Sequence, residues 1–474
     1  LHDHAGLAEA TRHGPVIPAL VVDARRELRL RRSGRRAAYY CAAVAALARA
    51  MDDAGARLII QRGPYVTTVR RLARRTYCDT VVWAAGYDAE TKRADRDLQS
   101  ALEERGLRTI IVHDAPIVPP EETTTGRAQG EVGYRSFPAY LTAWRTVPQP
   151  ALRYEPHFVT PNLEAEAPPQ PFEFESDEPL PIGAGESAAR ADLDAFMNGP
   201  VLQYAAAGDV PAAAGSSRLG VHLSFGTLAA RTVARAIDER ATDPFLLAEE
   251  RVSLRAFARS LARRDFFLQL GWFFETQRDE PLQARMRRFP FARNHPGFAA
   301  WQEGRTGYPF VDAGVRELRA TGFMHPHARL VAASFCCFDL GVDWRRGRDV
   351  WDRLLTEDEP ALANANWQWV AGVGADLAAY PRIYNPTRQA RRYDPAALYA
   401  QAWIPEVGGL PAAEILDPVA RNRRPQLLLP LFDGARYPLP VVDHDTAARA
   451  FLRRYTEFVR EAQSVRGWSS TPWT

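Results

Sequence analysis

Three stretches of the chain carry residues whose types and spacing suit chemistry as well as packing. The first is GSSRLGVHLSFGTLAAR, residues 215–231. Small hydroxyl residues directly before a helix leave side-chain donors and unpaired N–H groups at its positive end, which suits a phosphate. Arg218 adds a possible charge-assisted bond. An ordinary helix cap has the same appearance, so this stretch alone leaves both readings open. The second is WQEGRTGYPFVDAGVRELRATGFMHPHARL, residues 301–330, and the third is NANWQWVAGVGADLAAYPRIYN, residues 364–385. Both join tryptophan, arginine and acids in phrases that helical periodicity does not explain. His325 and His327 stand two apart and do not share a helix face, so no metal site is expected there. The nucleotide loops GxGxxG and GxxxxGK are absent, as is the GxSxG elbow.

The elements that must position these residues follow from pattern. The chain has 474 residues, 46% hydrophobic and 25% charged, enough for two or three cores. No apolar run approaches the roughly 18 to 20 residues of a membrane helix. Sixty basic residues balance 57 acidic ones, net +3, so any nucleic-acid contact needs a local basic face. Cys41, Cys78, Cys336 and Cys337 form no CxxC pair and read as reduced thiols, which fits a cytoplasmic protein. Strands at 16–23, 58–60, 80–83 and 109–113 alternate with helices at 37–53, 66–76 and 89–105, the pattern of a parallel, doubly wound α/β sheet. A Pro-, Glu- and Gly-rich stretch at 148–187 suits a surface connector. From residue 188 the pattern is helical, with an irregular, Arg-rich piece at 385–403 and a last amphipathic helix at 447–462. The expected division is an α/β domain (1–125), a linker (126–195) and an all-helical domain (196–474). Leu1 is not an initiator Met, and the chain is expected to lack residues before it.

The combination of WQEGRTGYPFVDA with NWQWVAGVG, together with LHDHAGLAEA at the start and WIPEV near Trp403, resembles the cryptochrome/photolyase family of FAD flavoproteins. The resemblance runs over nearly the whole chain. It implies a Rossmann-like α/β domain whose first strand is missing here, and a helical domain that holds FAD folded in a U. Tyr204 and Ser216, Ser217, Arg218, Leu219 and Gly220 match the adenine-side and phosphate-binding positions. Arg264 lies on the flavin-side helix, and His325 matches a pocket position. Arg329 matches an arginine paired with an acid near the ring, here Glu357 or Asp358, with Glu359 at the second acidic position. The resemblance also implies an electron path of three tryptophans. Trp367 is the flavin-proximal one and Trp344 the middle one. The distal position is Phe291, much harder to oxidise, so the path is broken there unless Trp272, Tyr308 or another ring substitutes. An antenna pigment, a folate, a deazaflavin or a flavin, can occupy the α/β domain; His113 and Asp114 follow a strand end there, where a structural role is the commoner one.

The family's repair enzymes line a cavity for a flipped dimer with four residues that differ here. Ser260 stands for a Glu, Arg263 for a stacking Trp, Pro326 for an Asn and Leu330 for a Met. Ala363 replaces the residue that faces the reactive flavin nitrogen, with Asn364 adjacent as a substitute. Stacking on an aromatic is worth roughly 1–3 kcal/mol, and the lost Glu bond roughly 2–4 kcal/mol by analogy with oxyanion donors. Together these cost several orders of magnitude in repair. Two readings follow: a deoxyribodipyrimidine photolyase-like enzyme acting on pyrimidine dimers, or a cryptochrome-like blue-light photoreceptor without repair. The first implies damaged DNA as partner, gripped by Arg287, Arg288, Arg388, Arg391 and Arg392 unless these are solvated surface residues. The second is weakened by the short C-terminal stretch 427–474. A light-independent flavoprotein is a third, weaker reading. The protein is expected to be a monomer without a membrane partner.

Overall fold

Four short strands form where apolar runs alternate with helices. In the computed structural model β1 (Ala19–Val22) pairs in parallel with β2 (Ile59–Arg62), and β3 (Thr80–Ala84) with β4 (Arg108–Val112). Ala19 stands opposite Ile59, and Thr80 opposite Arg108. Parallel neighbours need a crossover, and helices Gly34–Asp53, Tyr65–Thr76 and Ala89–Glu103 follow β1, β2 and β3 in turn. Local chemistry sets their ends. Asp88 accepts from the N–H groups of Glu90 and Thr91, both at 3.1 Å. Tyr77 ends its helix in the left-handed conformation. A further helix, Ala24–Arg31, is present although its composition is too polar to announce it; Asp23 caps it by accepting from Arg26 N at 2.9 Å.

The structure describes residues 1–124, 133–149, 151–152, 154–180, 182–213, 215–375, 380–417 and 437–466. Parts of the expected linker, of the phrase at 364–385 and of the stretch 427–474 lie outside the described residues. Among the described residues no helix is long and apolar enough to cross a membrane. Packing divides the chain into two compact units, each discontinuous in sequence. The first comprises residues 1–202, 217–278 and 355–362, the second residues 203–216, 279–354 and 363–474.

In the first unit the connector lies against β2: Glu166 N donates to Ile60 O at 2.9 Å, and Gln61 Nε2 to Glu164 O at 3.0 Å. This covers backbone groups that an open sheet edge would expose. The long helix Ala248–Phe273 carries Asp265, which is buried and accepts from Ile117 N (2.8 Å), Val118 N (3.1 Å) and Trp144 Nε1 (3.0 Å). Burial pushes this carboxyl up to about 6. Residues 355–362 are anchored by Asp358, which pairs with Arg26 at 2.6 Å, with Arg29, and with Arg36 at 3.8 Å. Arg36 is itself 1% exposed and donates to the carbonyls of Glu357 (3.0 Å) and Leu355 (3.3 Å). Burial opposes ionisation of Asp358, but the guanidiniums outweigh it and hold the carboxyl far below its ordinary range.

The second unit is helical. Helix Pro309–Thr321 begins with a proline at its first position and is fixed by the buried Asp312. That carboxylate accepts from Thr306 N, Thr306 Oγ1 and Gly307 N at 2.7–2.9 Å. Helix Pro326–Ser334 runs into a π-helical turn, Phe335–Asp339, against which the last helix, His444–Arg466, packs. Residues 385–403, expected to be irregular, form two helices, Pro386–Tyr393 and Leu398–Trp403. Asn385 caps the first by accepting from Arg388 N at 2.9 Å. Asp394 turns the chain into the second by accepting from Tyr399 N and Ala400 N, both at 3.0 Å.

Replacing one partner of a buried ion pair strands the other charge, at a cost of about 3–5 kcal/mol. Asp358→Asn keeps the side-chain shape, and because Arg26 and Arg29 are partly solvated the loss is expected at the lower end, about 3 kcal/mol. Urea unfolding followed by circular dichroism measures it. An unchanged midpoint would show that the pairing carries no stability.

Candidate functional site

The first unit presents a phosphate-type loop and two buried acids. Arg218 adopts the left-handed conformation at φ 53°, sparsely populated for a residue with a Cβ. Leu219 is buried, and its N–H is 3.4 Å from Ser217 Oγ. A Cβ on Gly220 would stand 2.8 Å from Glu357 Oε1, so any other residue here would make that carboxylate shift. Helix Gly220–Phe225 is six residues long, and the loop's own donors, more than a helix dipole, must hold an anion. The helix is pinned by the fully buried His222, whose ring bridges Asp192 (2.9 Å) and Tyr39 (2.7 Å). Arg264 donates to Ala115 O at 2.7 Å and to Leu223 O at 3.4 Å. Burial pushes Glu359 up to about 7; the charge of Arg264 opposes this and that of Asp358 adds to it. A carboxyl balanced there can donate or accept, as the edge of a heterocycle requires.

The second unit supplies the remaining expected residues. Tyr204 opens the short helix Tyr204–Ala207, and Ser216 belongs to the same unit. Arg329 Nε donates to Met324 O at 2.7 Å, and its guanidinium lies 5.5 Å from the Phe323 ring centre. His325 caps helix Pro326–Ser334: its Nδ1 accepts from His327 N at 3.2 Å, and its own N–H donates to Glu317 at 2.9 Å. Glu317 also accepts from Tyr399 Oη at 2.6 Å. Asn364 is buried, and its amide oxygen accepts from Arg348 at 2.8 Å. Asp358, one of the two acids expected opposite Arg329, pairs with Arg26, Arg29 and Arg36 of its own unit.

The tryptophans form a cluster that the sequence did not announce. Trp367 lies 4.5 Å, centre to centre, from Trp351. Trp351 stacks on Trp301 at 6.1 Å and 18°, and Trp301 stacks on Phe298 at 5.5 Å and 13°. Trp344 is fully buried, with the Arg345 and Arg348 guanidiniums 4.7 and 5.4 Å from its ring centre and no hydrogen-bond partner for Nε1. Phe291 packs with Phe289 at 4.8 Å and Phe451 at 6.4 Å. Of the two suggested substitutes, Tyr308 packs on Phe335 and donates to Val442 O, while Trp272 lies in the first unit against His113. Trp351 stands two helical turns from Trp344 on helix Trp344–Asp352, the one sequence signal that would have found it.

The pocket positions offer little to hold a substrate. The Ser260 hydroxyl donates to Phe257 O of its own helix at 2.7 Å. The Arg263 guanidinium lies 4.7 Å from the Phe137 ring centre. Pro326 is the first residue of its helix and has no N–H to give, and Leu330 is apolar. Two of the five arginines expected to meet DNA have acidic partners: Arg287 with Glu280 at 3.3 Å and Arg391 with Asp417 at 3.4 Å. His113 and Asp114 are engaged in structure, His113 with Tyr87 and Glu121, Asp114 with Ala5 N and Arg231.

The profile of DNA photolyase matches residues 1–158, and that of the FAD binding domain of DNA photolyase matches residues 257–457. A deoxyribodipyrimidine photo-lyase of Streptomyces griseus is 33% identical over 466 residues, covering 96% of each chain. One from Halobacterium salinarum is 32% identical over 421 residues, covering 86% of this chain and 85% of its own. The crystal structure of a bacterial class III photolyase from Agrobacterium tumefaciens superposes with a TM-score of 0.84 at 28% identity, over 97% of this chain and 95% of its own. The chain belongs to the cryptochrome/photolyase family. A Synechocystis cryptochrome shares the fold with a TM-score of 0.84 at 24% identity, over 96% of each chain. The cofactor of this photolyase-type domain is FAD. The residues of each unit are of the types that FAD needs: in the first, a hydroxyl-rich loop with Arg218 left-handed and Gly220 under a carboxylate, together with the half-buried Arg264 and Glu359; in the second, a buried tryptophan, Trp367, in ring contact with another.

A carboxyl raised in the folded state stabilises the fold below its unfolded value and loses that contribution as pH rises through the folded one. For Glu359, raised from 4.5 to about 7, the full effect is about 3 kcal/mol, of which about 1 kcal/mol falls between pH 6 and pH 8. Flavin-free protein is therefore expected to unfold more easily at pH 8 than at pH 6, and Glu359→Gln to remove about 1 kcal/mol of that difference. Equal pH dependence in both proteins would contradict the assignment.

Proposed function

We propose that this chain is a light-driven electron-transfer flavoprotein acting on pyrimidine dimers in DNA, with the dimer pocket weakened by substitution. The observation that carries the reading is the contact of Trp367 with Trp351 and of Trp351 with Trp301. Bound FAD supplies a chromophore that, once excited, exchanges single electrons. The residues of this chain hold it and feed it. Within the first unit, Ser217, Arg218 and Gly220 are proposed to meet the diphosphate, and Glu357, Glu359 and Arg264 the ring; within the second, Tyr204, Ser216, Arg329, His325 and Asn364 keep the cofactor-binding roles that the family resemblance implies. Trp344 is a poor place for an oxidised indole. Each guanidinium near its ring opposes positive charge by roughly 3 kcal/mol at an effective dielectric of 20, before Asp343 and Asp349, their ion-pair partners, offset part of this. Trp301, whose Nε1 donates to Ala332 O at 2.9 Å, is better placed. The proposed route therefore runs through Trp351 and Trp301, with the broken position at Phe291 bypassed. An antenna pigment (folate, deazaflavin or flavin) at the carboxyl ends of the parallel strands is part of the reading.

The four substituted pocket residues favour a second reading, a photoreceptor without repair. Ser260 bonds within its helix, Pro326 lacks a donor, and neither replaces the hydrogen bonds that a dimer would need.

The electron route is tested by flavin photoreduction under blue light with a soluble reductant. Trp351→Phe is expected to slow it at least tenfold, and Trp344→Phe by much less; the reverse order would contradict the route. Irradiated duplex carrying one cyclobutane dimer separates the two functional readings. Slow, light-dependent repair supports the photolyase, and none over many hours supports the photoreceptor.

A further inference from the structure

Tyr87 sits in the first unit behind the segment that carries Glu359. It is 4% exposed and packs with Leu268, Ala361, Leu362, Ala115 and Trp272. Its Oη stands 2.5 Å from Nδ1 of His113, and His113 Nε2 stands 3.0 Å from Glu121. With the Nε2 proton facing that carboxylate, Nδ1 is the acceptor and the phenol the donor. Trp272 meets the His113 ring edge-on at 4.7 Å and lies 5.9 Å from Tyr87, and its indole also bonds Glu121. The ammonium of Lys92, the single lysine of the chain, lies 4.6 Å from the centre of the Trp272 ring and pairs with Glu275 at 2.9 Å.

We propose that Tyr87, His113 and Glu121 form a proton-coupled redox site, a one-electron donor additional to the tryptophan cluster of the second unit. An oxidised phenol is a strong acid, so a buried tyrosine gives up an electron only if its proton has an acceptor within hydrogen-bond reach. His113 is that acceptor. The Tyr87 O–H bond breaks, an N–H bond forms at Nδ1, and one electron passes to the oxidant, leaving a neutral tyrosyl radical and an imidazolium. Glu121 faces that imidazolium. Burial pushes the Glu121 carboxyl up, but its hydrogen bonds with His113 and Trp272 oppose this and favour the carboxylate, which then faces the imidazolium once that forms. The oxidant is a photoexcited oxidised flavin or an oxidised tryptophan, and to that extent the site rests on the proposed function. Lys92 disfavours positive charge on Trp272, so oxidation settles on Tyr87.

The test is electron paramagnetic resonance of flash-frozen protein, in two arms. One excites the FAD-loaded chain with blue light. The other oxidises flavin-free chain with photogenerated tris(bipyridine)ruthenium(III). A tyrosyl signal is expected in both, narrowed when the protein carries ring-deuterated tyrosine, absent in Tyr87→Phe and reduced at least tenfold in His113→Gln. Ring deuteration identifies the radical as a tyrosyl, and His113→Gln, which keeps the phenol, assigns it to Tyr87 should Tyr87→Phe fail to fold. A signal in the ruthenium arm alone upholds the redox site and overturns the flavin as its oxidant. No tyrosyl signal in either arm, or one that persists in Tyr87→Phe, overturns the proposal.

Discussion

The site in the first unit depends on Asp358. This one carboxylate, held by three arginines from residues 26–36, ties residues 355–362 to helices laid down more than 300 positions earlier. The cost of burying a carboxylate requires that many cations, and Arg36 repeats the restraint through the carbonyls of Leu355 and Glu357. With Asp358 fixed, its neighbours have no freedom. Glu357 lies against Gly220, and the half-buried Glu359 has Arg264 as its main compensating charge. The different roles of three consecutive acids are thus set by tertiary contacts.

Much of the first unit was legible in the sequence because its signals are local. Apolar runs near residues 20, 60, 82 and 110 gave the strands, and each crossover helix has a cap or a left-handed stop within a residue or two of its expected end. Helix Ala24–Arg31 escaped because five of its eight residues are charged and only the Asp23 cap announces it. Residues 385–403 escaped for a related reason: arginines mask the apolar period, and the ordering comes from Asn385 and Asp394. The two compact units could not be read from composition, since the largely helical residues 217–278 and the mostly irregular residues 355–362 fold with the α/β segment.

The candidate site was legible only through phrases. GSSRLG and NWQW named the loop and the first tryptophan, but TEDEP holds three acids that no spacing rule distinguishes. Trp351 looked like one more core aromatic until its ring met Trp367 and Trp301. Tyr87, His113 and Glu121 are separated by up to 34 positions and meet only because β3 and β4 pair in parallel, which brings the ends of both strands together. What the comparisons show is the photolyase frame and its FAD-binding domain. In the proposed reading the change lies at Ser260, Arg263, Pro326 and Leu330, which take the places where a dimer would be gripped.

The most direct measurement is a titration of flavin-free protein with FAD in the dark, read by quenching of flavin fluorescence. The account predicts saturation at one FAD per chain, with the bound flavin then bleaching under blue light in the presence of a reductant. A folded protein that quenches no flavin fluorescence, and that stays colourless after removal of free FAD, would contradict it.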